Sequence, residues 1–238
     1  MSTDYFNKIF KVLKILKIKK LRLYVNVKYK NKYINRALKG DFEHFKYSYK
    51  TDMNRDVLEL LGDKDNSLRK YKIIDEIEGR YKNKRFIQRG VLIEDVNIKN
   101  KKSTKDIFNG VITEFDLDKD YGKILIVTKN MECLELREKV EVEDREFNTN
   151  FEVTIDDLEK ALMFLSPKII EGINYLVKEE ILVEPMFIMI DNNKLYLGQE
   201  CVYNLFDPNY DEKINEVKVV DNIKDTMLYI KKVIGILI

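Results

Sequence analysis

Four segments of strand length, separated by polar stretches, constrain the fold of this chain more than any other feature of its sequence. They span residues 72–78, 85–96, 110–116 and 123–129, and their apolar positions are mostly aliphatic or aromatic. Strands that follow one another along the chain commonly pair antiparallel. Residues 118–122, Asp-Lys-Asp-Tyr-Gly, are typical of a turn and predict a hairpin between the last two strands. We therefore predict an α+β fold, mainly an antiparallel sheet with packed helices.

The second half of the chain adds predicted helices and one more pair of strands. Ser166 and Pro167 predict a helix start, because proline is tolerated at the first helical position. Before them, a helix over residues 157–165 with Asp156 as its cap would have one apolar face, formed by Leu158, Ala161, Leu162 and Leu165. The other predicted elements are strands at 186–190 and 194–198 around the turn 191–193, and a helix at 222–237.

Charge is distributed very unevenly along the chain. The first 50 residues contain fourteen Lys and Arg against three acidic residues, a net charge of +11. The remaining residues contain twenty-nine basic and thirty-eight acidic residues, a net charge of −9. This division predicts a basic N-terminal segment over residues 1–62 and an acidic α+β domain over residues 68–238, with a linker at 63–67. The basic arm needs either an anionic partner or an acidic surface on the body.

The beginning of the basic arm has the pattern of an amphipathic helix over residues 4–16. One side is apolar and the other is rich in lysine. Such a helix binds at a membrane surface by inserting its apolar side among anionic headgroups. The residues predicted to contact a membrane or partner are Phe6, Lys8, Phe10, Lys11, Leu13, Lys14 and Lys17. The alternative is that this helix packs on the acidic body or is the first helix of the core. From Leu21 the period changes to two, which predicts a half-buried strand over residues 21–30.

Candidate catalytic and metal-binding patterns fail on inspection, so we predict no catalytic, metal or cofactor-binding residues. His44 is the only histidine, which excludes multi-histidine zinc sites. Cys133 and Cys201 are far apart and favour a reducing compartment. The carboxylates of Asp116, Asp118 and Asp120 alternate as in a calcium loop, but the glycine is one position late and the closing glutamate is missing.

Location and partners follow from what the N-terminus contains. Lysines interrupt its apolar stretch, so it does not resemble a secretory signal, and no run of about 18 apolar residues predicts a transmembrane helix. We expect a cytoplasmic, non-enzymatic protein that is peripheral to the inner face of the cell membrane. Its expected partner is an anionic membrane surface or a membrane protein.

Three alternatives stay open at this stage. The arm can bind the acidic body of another copy, which gives a homo-oligomer. A metal-dependent enzyme with a carboxylate site near residues 116–120 is a second alternative. Nucleic acid is the third and is disfavoured as a partner: tyrosines and phenylalanines interleave with lysines over residues 24–49, but no nucleic-acid motif is present.

Several segments from about residue 71 to the end are similar, in order, to those of one bacterial family. They include 143–153 (EDREFNTNFEV), 157–167 (DLEKALMFLSP), 187–197, 205–208 (LFDP) and, less closely, 108–110 and 115–116. The chain resembles the domain-of-unknown-function family three-one-three-seven. This resemblance implies a membrane-spanning or membrane-proximal N-terminus and genes often found beside those of LemA-type membrane proteins; it implies no catalytic residues. The lysine-interrupted helix stands where the family has a spanning segment, which favours peripheral contact.

Overall fold

The computed structural model describes residues 1–16, 19–59, 61, 68–96, 104–131, 136, 138–202 and 204–238. The predicted linker at 63–67 and Cys133 lie outside these ranges. The polar stretch 97–106 was predicted to be an exposed loop; its residues 97–103 lie outside the ranges, whereas 104–106 belong to a strand.

Nine strands form one antiparallel sheet in the described residues. Their order across the sheet is β1-β2-β3-β4-β9-β8-β5-β7-β6. The strands are β1 (Glu43–Lys50), β2 (Leu68–Tyr81), β3 (Lys84–Val96), β4 (Thr104–Asp116), β5 (Lys123–Thr128), β6 (Glu138–Val140), β7 (Phe151–Ile155), β8 (Met186–Asp191) and β9 (Lys194–Glu200). The predicted α+β class and antiparallel sheet are confirmed.

Seven helices accompany the sheet within the same ranges. They are α1 (Thr3–Leu16), α2 (Lys19–Leu38), α3 (Arg55–Glu59), α4 (Arg145–Asn150), α5 (Leu158–Phe164), α6 (Pro167–Lys178) and α7 (Glu216–Leu237). None of them is long and apolar enough to cross a membrane. Asn215 caps α7 by accepting hydrogen bonds from the backbone N–H groups of Val217 and Lys218. The helix therefore starts at Glu216, six residues before the predicted start at residue 222.

Each face of the sheet is covered by a hydrophobic core, and the two cores differ in size. Successive residues of β8 illustrate this: Met186, Ile188 and Ile190 join the large core, which contains buried residues of every helix except α3. Phe187 and Met189 point the other way, into a smaller core with α3. Side chains alternate between the two faces along a strand, so a strand buried on both faces is apolar throughout.

The predicted strand over residues 21–30 is wrong, because these residues belong to helix α2. The alternation of Leu21, Leu23 and Val25 with polar residues resembles a strand locally. Over a longer window, Val25, Tyr29 and Tyr33 recur every fourth residue, and all three are buried against the sheet and neighbouring helices. Because these residues, spaced four apart, are buried together, the helical pattern prevails over the strand pattern.

The predicted hairpin between residues 110–116 and 123–129 is also wrong. β4 pairs with β3 and β9, whereas β5 pairs with β7 and β8. The later hairpin of β8 and β9 is therefore inserted between them. The connection from β4 to β5 crosses the turn between β8 and β9. There the backbone N–H of Leu117 donates to the backbone oxygen of Asn193, and that of Tyr121 donates to the backbone oxygen of Asn192. Strand proximity in sequence did not determine pairing in space.

Helix α5 lies where it was predicted, but its cap and its buried face differ. Asp157, not Asp156, accepts the capping hydrogen bond from the N–H of Lys160. Ala161 and Leu165 are buried as expected, whereas Leu158 and Leu162 are exposed. Ser166 occupies the cap position of α6 without a side-chain hydrogen bond.

The basic segment and the acidic body share one sheet and one core. Strand β1 pairs with β2 across the boundary at residues 63–67. Helices α1 and α2 contribute residues to the same large core as α6 and α7.

Glycine is required at one point where two strands approach closely. A Cβ atom added to Gly110 on β4 would lie 2.0 Å from the backbone oxygen of Gln199 on β9. We expect Gly110→Ala to lower the free energy of unfolding by about 1–3 kcal/mol, because a backbone atom cannot move aside as a side chain can. Urea denaturation monitored by circular dichroism measures the change.

Gly235 in α7 supplies the matched control. A Cβ atom there would meet nothing within 4 Å. Gly235→Ala should raise the free energy of unfolding by about 0.5–1 kcal/mol through helix propensity. Equal effects of the two substitutions would contradict the close approach of β4 and β9.

Candidate functional site

Helices α1 and α2 form an antiparallel pair, which we call the N-terminal hairpin (residues 3–16 and 19–38). The ring of Phe6, early in α1, lies 5.6 Å from that of Tyr29 and 6.3 Å from that of Tyr33, late in α2. Phe10 lies 5.8 Å from Tyr29. Edge-to-face and tilted contacts of this kind stabilise aromatic clusters beyond their burial. The aromatic face of α1 is thus directed at α2.

The structure corrects the predicted membrane contact of the apolar face of α1. Phe6, Phe10 and Leu13 are only 0%, 2% and 3% exposed. They belong to the large core of the same molecule. An apolar side chain already removed from water gains nothing further by entering lipid, so these three residues do not form the contact surface in this conformation.

The lysines of α1 are placed differently. Lys8, Lys11 and Lys14 are exposed, and Lys17 lies outside the described residues. Lys14 forms an ion pair of 2.5 Å with Asp211, but their side chains are 63% and 72% exposed. A pair so open to solvent contributes little to stability. The cationic half of the predicted site therefore remains available at the surface.

Exposed apolar side chains accompany these cations where α1 ends and α2 begins. Val12 is 44% exposed, Leu23 39% and Tyr24 50%. We call this end of the hairpin the cationic tip; its exposed residues are Lys11, Val12, Lys14, Lys19, Lys20, Arg22, Leu23 and Tyr24. Sequence reasoning missed Leu23 and Tyr24 because residues 21–30 were predicted to form a strand. As a helix, Lys20, Tyr24 and Lys28 fall on one face at intervals of four.

Part of the basic arm is neutralised by the acidic body. Glu216, in the first turn of α7, forms ion pairs of 2.6 Å with both Lys32 and Arg36. Hydrogen bonds from Lys32 and then Arg36 lower the pKa of Glu216 from its ordinary 4.5 to about 2. Its position at the positive end of a helix is favourable too. The base of the hairpin is thus held to α7 by charge.

A buried lysine fixes the middle of α2 to the sheet. The ammonium group of Lys30, 1% exposed, lies 2.5 Å from Asp75 on β2 and also pairs with Asp207. Tyr47 donates a 2.7 Å hydrogen bond to the other oxygen of Asp75. Asp75 has a φ of +56° at an irregularity in the pairing of β2 with β3. Burial raises the pKa of the Asp75 carboxyl, whereas Lys30 and Tyr47 act to lower it.

A cavity of about 300 Å³ adjoins Lys30 between α2, α7 and residues 205–215. The ammonium already contacts two carboxylates, so its charge is balanced. Over the described ranges, the one buried side-chain polar atom that lacks a hydrogen-bond partner is Asn174 Oδ1, which does not line this cavity. We interpret the Lys30 cluster as a structural connection between three parts of the chain.

The carboxylates of residues 116–120 do not converge in the structure. Asp116 contacts Lys194, Asp118 contacts Lys84 and Asp120 contacts Lys160. No group of three or more potential metal ligands occurs among the residues that the structure describes. Each of these three carboxylates forms an ion pair with a different lysine.

Most aromatic rings of the basic arm are unavailable for stacking. Tyr29, Tyr33 and Phe42 are buried, and Tyr47 is held against Asp75. Nucleic-acid binding by stacking needs exposed ring faces. Of the seven aromatic residues between 24 and 49, Tyr24 alone is exposed.

Removing the buried ammonium should strongly destabilise the protein. Lys30→Met leaves Asp75 in the interior without its positive partner, so we expect a loss of about 3–5 kcal/mol in the free energy of unfolding. Urea denaturation measures it. Lys28→Met, two residues earlier on the exposed face, should change stability by no more than about 0.5 kcal/mol. Similar losses from both substitutions would contradict a structural role of the Lys30 cluster.

The lowered pKa of Glu216 makes its contribution dependent on pH. A carboxyl whose pKa is lower in the folded than in the unfolded state stabilises the fold while it is ionised. The stability difference between the wild type and Glu216→Gln should be full above pH 4.5 and disappear as the pH falls towards 2. Thermal unfolding midpoints of both proteins across this range provide the measurement. A difference that stays constant or grows on acidification would contradict the assignment.

Comparisons with known proteins add a family and a distant structural likeness. No curated protein matches the chain. The crystal structure of the mycobacterial trehalose monomycolate transport factor A, TtfA, is similar over 84% of this chain and 94% of that chain, at 10% identity and a TM-score of 0.41. A likeness this weak carries no functional argument. The family described as Protein of unknown function (DUF3137) matches residues 106–237, more than half of the sequence. The chain therefore belongs to this family.

Proposed function

We propose that the protein binds peripherally to an anionic membrane surface through its cationic tip. The observation that carries this proposal is that exposed lysines and the exposed apolar residues Val12, Leu23 and Tyr24 occur towards the same end of the N-terminal hairpin. Cations there attract anionic headgroups, and the apolar side chains enter the interface at shallow depth.

Charge at the tip is not neutralised by the body of the protein. Among the described residues, no carboxylate forms an ion pair with six cations of the hairpin: Lys8, Lys11, Lys19, Lys20, Arg22 and Lys28. By contrast, Lys30, Lys32 and Arg36 are paired. Lys14 is the exception near the tip, because it pairs with Asp211 at the surface. The cations towards the tip are thus available to an anionic partner.

The burial of the aromatic face of α1 changes the expected character of this contact. Each cation near an anionic leaflet contributes about 1 kcal/mol, so several together support measurable binding. Because Phe6 and Phe10 are buried, the apolar contribution to membrane binding is small. Binding should therefore be reversible and weakened by salt, since the Debye length falls to about 3 Å at 1 M ionic strength.

Neutralising two tip lysines should weaken vesicle binding. For Lys11→Gln/Lys20→Gln we expect a loss of about 2 kcal/mol, or about thirtyfold in the partition constant, on vesicles containing phosphatidylserine. Sedimentation with sucrose-loaded vesicles measures it. The matched control is Lys168→Gln/Lys178→Gln, which removes two exposed lysines of α6 and should bind as the wild type does.

Three other outcomes would decide against the proposal. Equal, negligible sedimentation with anionic and purely zwitterionic vesicles would remove membrane binding as the function. A mass above that of a monomer by light scattering, lowered by the Lys11→Gln/Lys20→Gln change, would instead assign the tip to contact with another copy. An acidic membrane protein as partner would show as binding to native membranes that protease treatment of those membranes abolishes.

A further inference from the structure

A cleft of about 450 Å³ lies at the cationic tip, between the end of α1, the start of α2 and the segment that precedes α7. Its lining combines three cations, one carboxylate and two apolar surfaces. These residues are Leu13, Lys14, Lys19, Arg22, Tyr210 and Asp211. The volume falls within the range of small-ligand sites.

The wall of this cleft is held in place by contacts on the aromatic ring of Tyr210. That ring lies 4.6 Å from the ring of Phe10, and its hydroxyl donates a hydrogen bond to Asn26. The guanidinium carbon of Arg22 lies 4.3 Å from the ring centroid of Tyr210. Arg22 also interacts with the Tyr210 hydroxyl and attracts Asp211, and its guanidinium has further planar N–H donors. Arg22 is therefore preorganised to bind an anion.

The charges of the cleft are unbalanced. Asp211 pairs with Lys14, whereas neither Lys19 nor Arg22 forms an ion pair with a carboxylate in the part of the chain that the structure describes. Lys19 and Arg22 also lie in the first turn of α2, which contains no acidic residue. Positive charge at the positive end of a helix is unfavourable. A bound anion would balance the surplus positive charge of the cleft and would also interact favourably with the positive end of α2.

We propose that this cleft binds a phosphate monoester; the proposal rests on the proposed function, because it names the group that the tip recognises at an anionic surface. A monoester has a charge of about −1.5 to −2 at pH 7 and three terminal oxygens. Its charge matches the surplus of two cations, and its oxygens can accept from both edges of Arg22 and from Lys19. A phosphodiester has one negative charge and two free oxygens, which leaves one cation unmatched.

A lipid headgroup and a free phosphate compound share this chemistry. Val12, Leu23 and Tyr24 lie at the same end of the hairpin and are exposed. They favour a lipid as the source, because exposed apolar side chains at a membrane surface can contact acyl chains. Binding of a lipid and of its soluble headgroup must therefore be compared.

Isothermal titration calorimetry on the full chain at 0.1 M NaCl provides the test. The probes are dihexanoyl phosphatidic acid, a monoester; dihexanoyl phosphatidylglycerol, a diester; and glycerol 3-phosphate, the soluble headgroup. We expect one phosphatidic acid per chain and binding at least about tenfold weaker for the diester. Weaker binding of glycerol 3-phosphate than of phosphatidic acid assigns the site to lipid, whereas equal binding assigns it to a free phosphate compound.

Variants of exposed residues locate the site without disturbing the fold. Arg22→Gln and Lys19→Gln should each weaken phosphatidic acid binding about tenfold. Arg22→Lys keeps the charge but loses the planar donor pair, so it should reduce the preference for monoester over diester. Lys168→Gln is the matched control, since Lys168 is an exposed lysine of α6 that lies outside both the tip and the cleft.

Three results would overturn the proposal: no heat with any monoester, equal affinity for the diester, or an effect of Lys168→Gln as large as that of Arg22→Gln. The first two results leave the proposed function intact if the wild type still binds anionic vesicles and the Lys11→Gln/Lys20→Gln variant still binds them more weakly. Failure of vesicle binding together with tight, stoichiometric glycerol 3-phosphate binding would separate the cleft from the membrane.

Discussion

The placement of the N-terminal hairpin depends on one buried ion cluster. Lys30 is removed from water at the centre of α2, and its charge is stabilised by Asp75 on β2 and Asp207 before α7. A buried cation of this kind tolerates very few arrangements, because desolvation is costly unless the partners are close and correctly oriented. The cluster therefore fixes the register of α2 on the sheet, and with it the direction in which the tip of the hairpin points.

That orientation divides the basic arm into two parts with different roles. Near the base, Lys32 and Arg36 meet Glu216, and the aromatic face of α1 is covered by α2 and Tyr210. Near the tip, Lys14 pairs with Asp211 in a contact open to solvent, whereas Lys11, Lys19 and Lys20 lack partners among the described carboxylates. Val12, Leu23 and Tyr24 are exposed there too. The net charge of the arm thus has two uses: one part stabilises the fold, and the other is free to attract an anionic surface and, in the cleft at Arg22, a phosphate group.

Sequence patterns located most elements of the fold but not their partners in space. The strands at 72–78, 85–96, 186–190 and 194–198 appear in the structure, some of them longer, because a strand's apolar character is visible locally. Insertion of the β8–β9 hairpin between β4 and β5 was not visible. Sheet order depends on long-range pairing, and residues 118–122 have the composition of a turn whether or not the strands they join are neighbours.

The sequence by itself determined the α+β class, the family, the basic arm and the amphipathic helix at its start. Tertiary structure alone decided which side of that helix meets water: Phe6, Phe10 and Leu13 face the core, and its lysines stay outside. The physical reason is that an apolar stripe lowers the free energy wherever it leaves water, in lipid or in the protein's own interior. Periodicity reveals the stripe, whereas the surface that covers it comes from residues far away in the chain.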